Sequence, residues 1–202
     1  MARVLLTAFE PFGPWRTNAS WLALEQVTRT LPASPQVTTR RYPVDFAQLR
    51  PRLERDLREN FDAAIMLGQA SGRPTIELEA IGLNVAREAE NGAEEARPLC
   101  ADGPVAYRTE LPIENWAREM RSAGLPVHAS YHAGTYLCNA ALYTAHYLIE
   151  RLALPTQAVF VHLPLDVSQT LDSPKPPASL PVEISAAAVQ WLLAQFADPA
   201  YA

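Results

Sequence analysis

The run Arg3-Val-Leu-Leu-Thr-Ala8 leads directly into the loop Phe9-Glu-Pro-Phe-Gly13. Continuous apolar runs recur at residues 63–67, before Gly-Gln-Ala-Ser-Gly, and at residues 157–163, before Pro-Leu-Asp. Strands that are apolar at every position are buried on both faces, which is typical of a parallel sheet covered by helices. The three runs therefore predict the central strands of such a sheet.

Longer stretches with helical spacing fall between these runs, at residues 18–30, 50–60, 113–123, 138–152 and 181–196. Asn18 is a good N-cap for the first, Pro51 suits the first turn of the second, and Gly124 ends the third. Alternating apolar and polar residues at 75–85 predict an antiparallel hairpin that flanks the sheet. The predicted fold class is α/β, a three-layer α/β/α sandwich with a mostly parallel, twisted central sheet. We expect residues 1–202 to form a single catalytic domain.

Composition excludes several classes of protein. The net charge of −5 argues against a nucleic-acid partner, which needs a basic face. No stretch approaches the roughly 20 apolar residues that cross a bilayer, and the N-terminus does not resemble a secretory signal. Two cysteines form no disulfide framework, so we expect a cytoplasmic protein. A charged run is interpreted as a solvated helix face; it comprises Arg40, Arg41, Arg50, Arg52, Glu54, Arg55, Asp56, Arg58 and Glu59.

The carboxyl ends of the predicted strands indicate where a site forms. In open α/β sheets, sites lie at this edge, which points to residues 9–13, 68–73 and 162–164. Cys138 stands at the start of the predicted helix 138–152. At the N-terminus of a helix, the dipole and the free N–H groups stabilise a thiolate and can bind an oxyanion. Cys138 as a small buried hydrophobic residue is the alternative interpretation. Cys100 lies in a polar loop, and we expect no chemical role for it.

A nucleophilic cysteine needs a base, and the chain has four histidines. His146 lies about 12 Å along the same helix as Cys138, out of reach at 1.5 Å per residue. His128 and His132 are in or near the loop before Cys138, without an obvious orienting carboxylate. His162 ends an apolar strand at the sheet edge and is the best candidate. For the acid that orients the base, Glu77 and Glu79 project from the same side of a predicted strand, and nothing local separates them.

The motifs of the chain, taken together and in order, resemble pyroglutamyl peptidase I (pyrrolidone-carboxylate peptidase), a family of cysteine peptidases, over nearly the whole length. The matching segments are Leu5-Leu-Thr-Ala-Phe-Glu-Pro-Phe-Gly13 with Asn18 and Trp21, Gly68-Gln-Ala-Ser-Gly-Arg73 with Ile76-Glu-Leu-Glu79 and Asn84, Gly103-Pro-Val-Ala-Tyr107 with Thr109 and Leu111-Pro-Ile113, Ser130-Tyr-His-Ala-Gly-Thr-Tyr-Leu-Cys-Asn139, and Val161-His-Leu-Pro164.

The resemblance implies a thiol protease of the omega-peptidase type that removes N-terminal pyroglutamate from peptides through a thioester. It assigns Cys138 as nucleophile, His162 as base and Glu79 as the residue that orients the base. The substrate-binding residues that it implies are Phe9, Phe12, Asn18, Gln69, Arg87 and Leu137. It implies no metal or cofactor, pyroglutamylated peptides as partners, and a homo-oligomer, either a dimer or a tetramer.

The chain departs from the family pattern in the segment 84–91, which is shorter, and Glu88 stands where the family has an apolar pocket residue. Val44 stands where a Thr is frequent, and Leu137 replaces a Val beside the nucleophile.

Two alternatives to a pyroglutamyl peptidase stay open. One is a thiol amidase that acts on another small amide or lactam, and the other is a non-catalytic scaffold that binds pyroglutamate.

Overall fold

The computed structural model of the protein describes residues 1–87 and 96–197, and within these residues the chain forms ten strands and five helices. The strands are β1 (Arg3–Phe9), β2 (Gln36–Tyr42), β3 (Ala63–Gln69), β4 (Ile76–Glu79), β5 (Ile81–Leu83), β6 (Ala106–Arg108), β7 (Val127–Ser130), β8 (Gln157–Leu163), β9 (Leu165–Asp166) and β10 (Ser179–Leu180). The helices are α1 (Ala19–Thr28), α2 (Phe46–Leu57), α3 (Ile113–Ser122), α4 (Leu137–Arg151) and α5 (Val182–Ala194), with a short 3-10 helix at Val167–Gln169.

Six of the strands form one mixed sheet in the order β2-β1-β3-β8-β4-β7. The first four run parallel, whereas β4 pairs antiparallel with β8, and β7 runs parallel to β4. The three apolar runs are its central strands β1, β3 and β8, and every residue of β3 is buried. The predicted mostly parallel sheet is confirmed, with β4 and β7 running in the opposite direction.

Helices cover both faces of the sheet. Alternate side chains of β1 enter different cores, because successive residues of a strand point to opposite faces. Val4 and Leu6 pack with α1, α3 and α5, whereas Leu5 packs with α2 and α4. The three-layer α/β/α prediction is confirmed, and β3 and β8, at the centre of the sheet, contribute residues to both cores. No helix in the described part of the chain is long and apolar enough to cross a membrane.

The edge strand β2 and the start of α2 differ from the prediction. Residues 36–42 have a mixed composition and were not predicted as a strand, yet they pair along the whole of β1. Helix α2 begins at Phe46, because the Asp45 side chain caps the N–H groups of Ala47 and Gln48. Pro51 is therefore inside the helix rather than in its first turn, and its ring is on the exposed side.

The interpretation of the charged run as a solvated helix face is wrong at Asp56, which is fully buried. Its carboxylate accepts from Tyr42 Oη at 2.8 Å and pairs with Arg55 at 2.8 Å and Arg40 at 3.4 Å. Burial raises the pKa of the Tyr42 hydroxyl. Arg40 is on β2 and not on a helix, so this cluster joins the edge strand to α2.

The predicted hairpin at residues 75–85 is wrong in its pairing. The segment divides into β4, which joins the main sheet, and β5, which pairs antiparallel with the distant β6 outside it. Strand β5 packs so closely on α4 that a Cβ on Gly82 would lie 2.7 Å from the backbone nitrogen of Tyr143. The absence of a side chain at Gly82 therefore permits the close contact of β5 with α4 at Leu142 and Tyr143.

Candidate active site

Cys138 is the second residue of α4, and its position depends on the buried side chain of Asn139. Asn139 accepts from the Leu83 N–H at 2.8 Å and donates to the carbonyl oxygens of Leu83 and Val85, both at 2.9 Å. These bonds join the first turn of α4 to β5. The first N–H groups of a helix have no acceptor within the helix, and the Tyr136 side chain does not cap them.

The sulfur of Cys138 lies over the end of β3, against Gly68. A Cβ on Gly68 would lie 3.0 Å from Cys138 Sγ and 2.4 Å from the ring of Phe160. Gly68 is also the register partner of His162 on the adjacent β8. The missing side chain therefore leaves space for the thiol directly beside the histidine.

His162 lies between the thiol and a buried carboxylate. Its Nδ1 is 2.6 Å from Glu79 Oε1, and both side chains are almost fully buried. Burial lowers the pKa of His162, but the negative charges of Cys138 and Glu79 and hydrogen bonds to both outweigh it and raise the pKa to about 9. The arrangement therefore favours a proton on the imidazole of His162, between the sulfur of Cys138 and the carboxylate of Glu79.

Arg73 lies close to both candidate acids, Glu77 and Glu79. Its guanidinium pairs with Glu77 and lies 3.9 Å from Glu79 Oε1. Glu77, Glu79 and His162 place ligand atoms within 4.8 Å of one another, as a metal site does. Arg73 already brings positive charge to both carboxylates, so we interpret this cluster as one that positions a proton on His162.

The other three histidines lie in different surroundings. His128 is exposed on β7, and His132 accepts the Gly134 N–H through its Nδ1 in the loop before α4. His146 lies further along α4 and stacks on Tyr107. Its burial lowers its pKa to about 4. Cys100 is also buried, which raises the pKa of its thiol, near Arg50.

A small pocket, partly open to solvent, lies beside Cys138. Its wall consists of Phe9, Phe12, Asn18, Val44, Gln69, Tyr136, Leu137 and Cys138. Five of the six predicted substrate-binding residues thus surround one space. Sequence reasoning missed Val44, which follows the unrecognised strand β2, and Tyr136, although its place just before Leu137 and Cys138 was a usable signal.

The two polar side chains of the pocket, Asn18 and Gln69, differ in their hydrogen bonding. Asn18 Oδ1 accepts from Ser20 N at 3.0 Å and Ser20 Oγ at 2.8 Å, and its amide nitrogen donates to Glu10 O at 2.9 Å. Asn18 thus joins the first loop to α1 as an N-cap. Gln69 Nε2, in contrast, is buried and has no hydrogen-bond partner in the described residues.

Arg87 is the predicted residue that the structure places apart from the pocket wall. Its side chain is exposed, while its backbone N–H donates to Thr135 O at 2.8 Å in the loop before Cys138. Glu88 and the shortened part of the segment that follows it lie outside the described residues.

The fold and the geometry define a class. A thiol at the start of a helix, a histidine and a carboxylate that bonds the histidine meet at the carboxyl edge of an α/β sheet, as in cysteine-type hydrolases.

Comparison with known proteins identifies the family. The sequence model of the pyroglutamyl peptidase family matches residues 2–196. The pyrrolidone-carboxylate peptidase of Streptomyces coelicolor is 37% identical to this chain, over 96% of this chain and 91% of its own length. The pyrrolidone-carboxylate peptidase of Thermococcus kodakarensis is 36% identical, over 88% of each chain. The solved pyrrolidone carboxyl peptidase of Fervidobacterium islandicum superposes with a TM-score of 0.88 at 30% identity, covering 96% of this chain and 97% of that one. The chain belongs to the pyroglutamyl peptidase family.

Proposed function

We propose that this chain hydrolyses the amide bond after an N-terminal pyroglutamyl residue, with Cys138 as nucleophile, His162 as acid–base and Glu79 as the residue that orients His162. The observation that supports this most directly is the hydrogen-bonded His162–Glu79 pair, next to a thiol that opens onto a small, mostly apolar pocket. Membership of the family supports the substrate class.

The reaction begins with the Cys138 thiolate, which His162 stabilises. Sulfur attacks the carbonyl carbon of the pyroglutamyl residue, and the oxyanion is bound by N–H groups of the first turn of α4. His162 donates its proton to the leaving amine as the thioester forms. A water molecule then attacks the thioester while His162 accepts its proton; the C–S bond breaks, pyroglutamate leaves, and the Cys138 thiolate is restored beside the protonated His162. Glu79 keeps the Nδ1 proton of His162 in place, so that Nε2 faces the reaction.

The pocket suits a neutral lactam ring. Phe9, Phe12 and Leu137 provide an apolar slot, which Val44 and Tyr136 complete. Gln69 supplies a donor for a carbonyl oxygen. An ordinary N-terminal ammonium would lose its hydration in this slot without a compensating partner, so unmodified peptides are disfavoured. We assign Asn18 to holding the pocket wall and Arg87 to the neighbourhood of the oxyanion through its tie to Thr135.

We also propose a single catalytic domain that acts in the cytoplasm as a homo-oligomer, without nucleic-acid or membrane partners and without a cofactor. Both cysteines are free thiols, which suits a reducing compartment. The acidic balance of the chain disfavours binding to phosphate. Light scattering on the purified protein measures the oligomeric state, and a monomer would contradict that part of the proposal.

Turnover of pyroglutamyl p-nitroanilide by the wild type, beside Cys138→Ser and His162→Ala, tests the catalytic assignment. We expect each substitution to lower the rate of turnover by at least about 1,000-fold, the order of effect seen when a member of a catalytic triad is lost. The matched controls are Cys100→Ser and His132→Ala, for which we expect near-normal rates.

The two alternative functions, a thiol amidase and a binding scaffold, predict different results in these assays. Hydrolysis of prolyl or glutaminyl anilides without turnover of the pyroglutamyl substrate would identify a thiol amidase of different specificity. A Cys138 thiol that does not react with iodoacetamide at mildly acidic pH, together with no turnover of any substrate, would identify a binding scaffold instead.

A further inference from the structure

The short helix Val167–Gln169, just beyond β8, fixes the direction of a glutamine amide. Asp166 caps this helix, and Asp166 N–H donates to Gln169 Oε1 at 2.8 Å. A backbone N–H can only donate, so the atom of Gln169 that faces it must be the oxygen. The Nε2 group of Gln169 is therefore fixed as a donor on the opposite side of the amide.

That donor fixes a second amide, which belongs to the pocket. Gln169 Nε2 donates to Gln69 Oε1 at 2.8 Å and to Thr17 O at 3.0 Å. Ala19 N–H also donates to Gln69 Oε1, at 2.8 Å. Two donors therefore hold the oxygen of Gln69 away from the pocket, and its Nε2 is the group left to face a ligand.

The unpaired amide nitrogen of Gln69 is costly unless a ligand meets it. Gln69 is only 5% exposed, and a buried donor without an acceptor destabilises a folded protein. The side chain lines the pocket beside Phe9 and Cys138. A ligand that brings a neutral carbonyl oxygen to this point would satisfy the donor.

We propose that Gln169 is a positioning residue that sets the hydrogen-bond polarity of the pocket, so that Gln69 presents a donor to the ring carbonyl of the lactam. The proposal rests on the pyroglutamyl peptidase activity proposed above. Gln169 acts through Gln69, and not on the reacting atoms. A prolyl ring, which has a methylene group in place of that carbonyl, leaves the donor unpaired and is rejected.

Gln169→Glu tests the proposal, because it keeps the size of the side chain and one oxygen for the Asp166 N–H. The second carboxylate oxygen would face Gln69 Oε1, so the Gln69 amide turns its nitrogen toward the carboxylate and the pocket loses its donor. We expect KM for pyroglutamyl p-nitroanilide, and the inhibition constant of 2-pyrrolidone, to rise together by about tenfold, the effect of one lost hydrogen bond. We expect kcat and the rate of Cys138 alkylation by iodoacetamide to change by less than about threefold.

Gln169→Met gives a second measurement and keeps the proposal testable if Gln169→Glu does not fold. It removes both polar atoms at similar volume but leaves the Ala19 N–H to orient Gln69. We expect a smaller rise in KM than for Gln169→Glu, again with normal alkylation. Gln190→Glu is the matched control, since Gln190 is on α5 and bonds Thr30; we expect its KM to equal that of the wild type.

The outcomes separate the two proposals. A wild type that does not turn over the pyroglutamyl substrate contradicts the proposed function itself. An active wild type with unchanged KM in both Gln169 variants overturns the role of Gln169 alone. Equal rises in KM for Gln169→Glu and Gln169→Met, accompanied by slower alkylation of Cys138, would mean that Gln169 only supports the loop, which also overturns the proposal.

Discussion

Glu79 Oε1 lies 2.6 Å from Nδ1 of His162, although the residue opposite His162 in the strand register is Glu77. The side chains of Glu77 and Glu79 share one face of β4, and Arg73 pairs with Glu77. The diagonal neighbour, and not the direct one, therefore bonds the imidazole. Both carboxylates thus lie near Arg73, but Glu79 is the one that bonds His162.

The first prediction separates these two carboxylates. Glu79→Gln should lower kcat by about 100- to 10,000-fold, because a neutral amide no longer stabilises the imidazolium or enforces its tautomer. Steady-state kinetics with the pyroglutamyl anilide measures this. Glu77→Gln is the matched comparison, and we expect a much smaller loss. Equal losses in the two variants would contradict the assignment of Glu79.

Gly68 provides a steric test of the position of the thiol. Gly68→Ala should lower kcat/KM by about 100-fold, because the new methyl group would displace the Phe160 ring and the Cys138 sulfur, and small misplacements of reacting groups are costly. Alkylation of Cys138 should slow as well. Gly124→Ala, where no atom lies within 4 Å of the added Cβ, is the control and should keep normal kinetics despite its strained backbone. Normal turnover in Gly68→Ala would argue against the described position of the sulfur.

The raised pKa of His162 predicts a pH dependence of stability. The pKa in the folded protein is about 9, above the ordinary value near 6.5, so the folded state holds this proton more tightly than the unfolded state. The resulting stabilisation is complete below about pH 6.5 and is lost as the pH rises through about 9. Urea unfolding at intervals across this window measures the free energy of unfolding.

Cys138→Ala is the comparison for that pH series. Among the effects that raise the pKa of His162, the charge of Cys138 is the largest, so its removal should lower the pKa. The alanine variant should therefore lose less stability than the wild type over the same pH range. Proton NMR of the imidazole gives the titration midpoint directly, and an identical midpoint in both proteins would disprove the coupling.

Asn139 is expected to contribute strongly to stability. Asn139→Ala removes three hydrogen bonds and leaves backbone groups of Leu83 and Val85 without their partner, at a cost of about 2–4 kcal/mol. Chemical denaturation measures the change. Asn115→Ala, at an exposed residue of α3, should change the free energy of unfolding by less than about 0.5 kcal/mol. A similar small effect at Asn139 would show that α4 does not depend on this contact.

Much of the fold followed from local pattern. Strands β1, β3 and β8 are buried on both faces, so their apolar composition identified them, and β8 was predicted with its observed bounds. The edge strand β2 was missed because only part of it is buried, and its residues therefore have a mixed composition. The start of α2 was misplaced because Pro51 suggested a first turn, whereas the Asp45 cap sets the beginning of the helix.

The sequence by itself determined the central strands, the order of the layers and the residue types available for chemistry at the ends of β1, β3 and β8. Local pattern left open which of them meet; the resemblance to the family assigned Glu79 rather than Glu77, and only the tertiary structure shows the contacts that bring these residues together. The choice of Glu79 as the partner of His162, the space that Gly68 leaves for Cys138 and the direction of the Gln69 amide all depend on contacts between segments distant in the chain. Local periodicity reports burial along one segment, whereas register and side-chain pairing are properties of two segments brought together by folding.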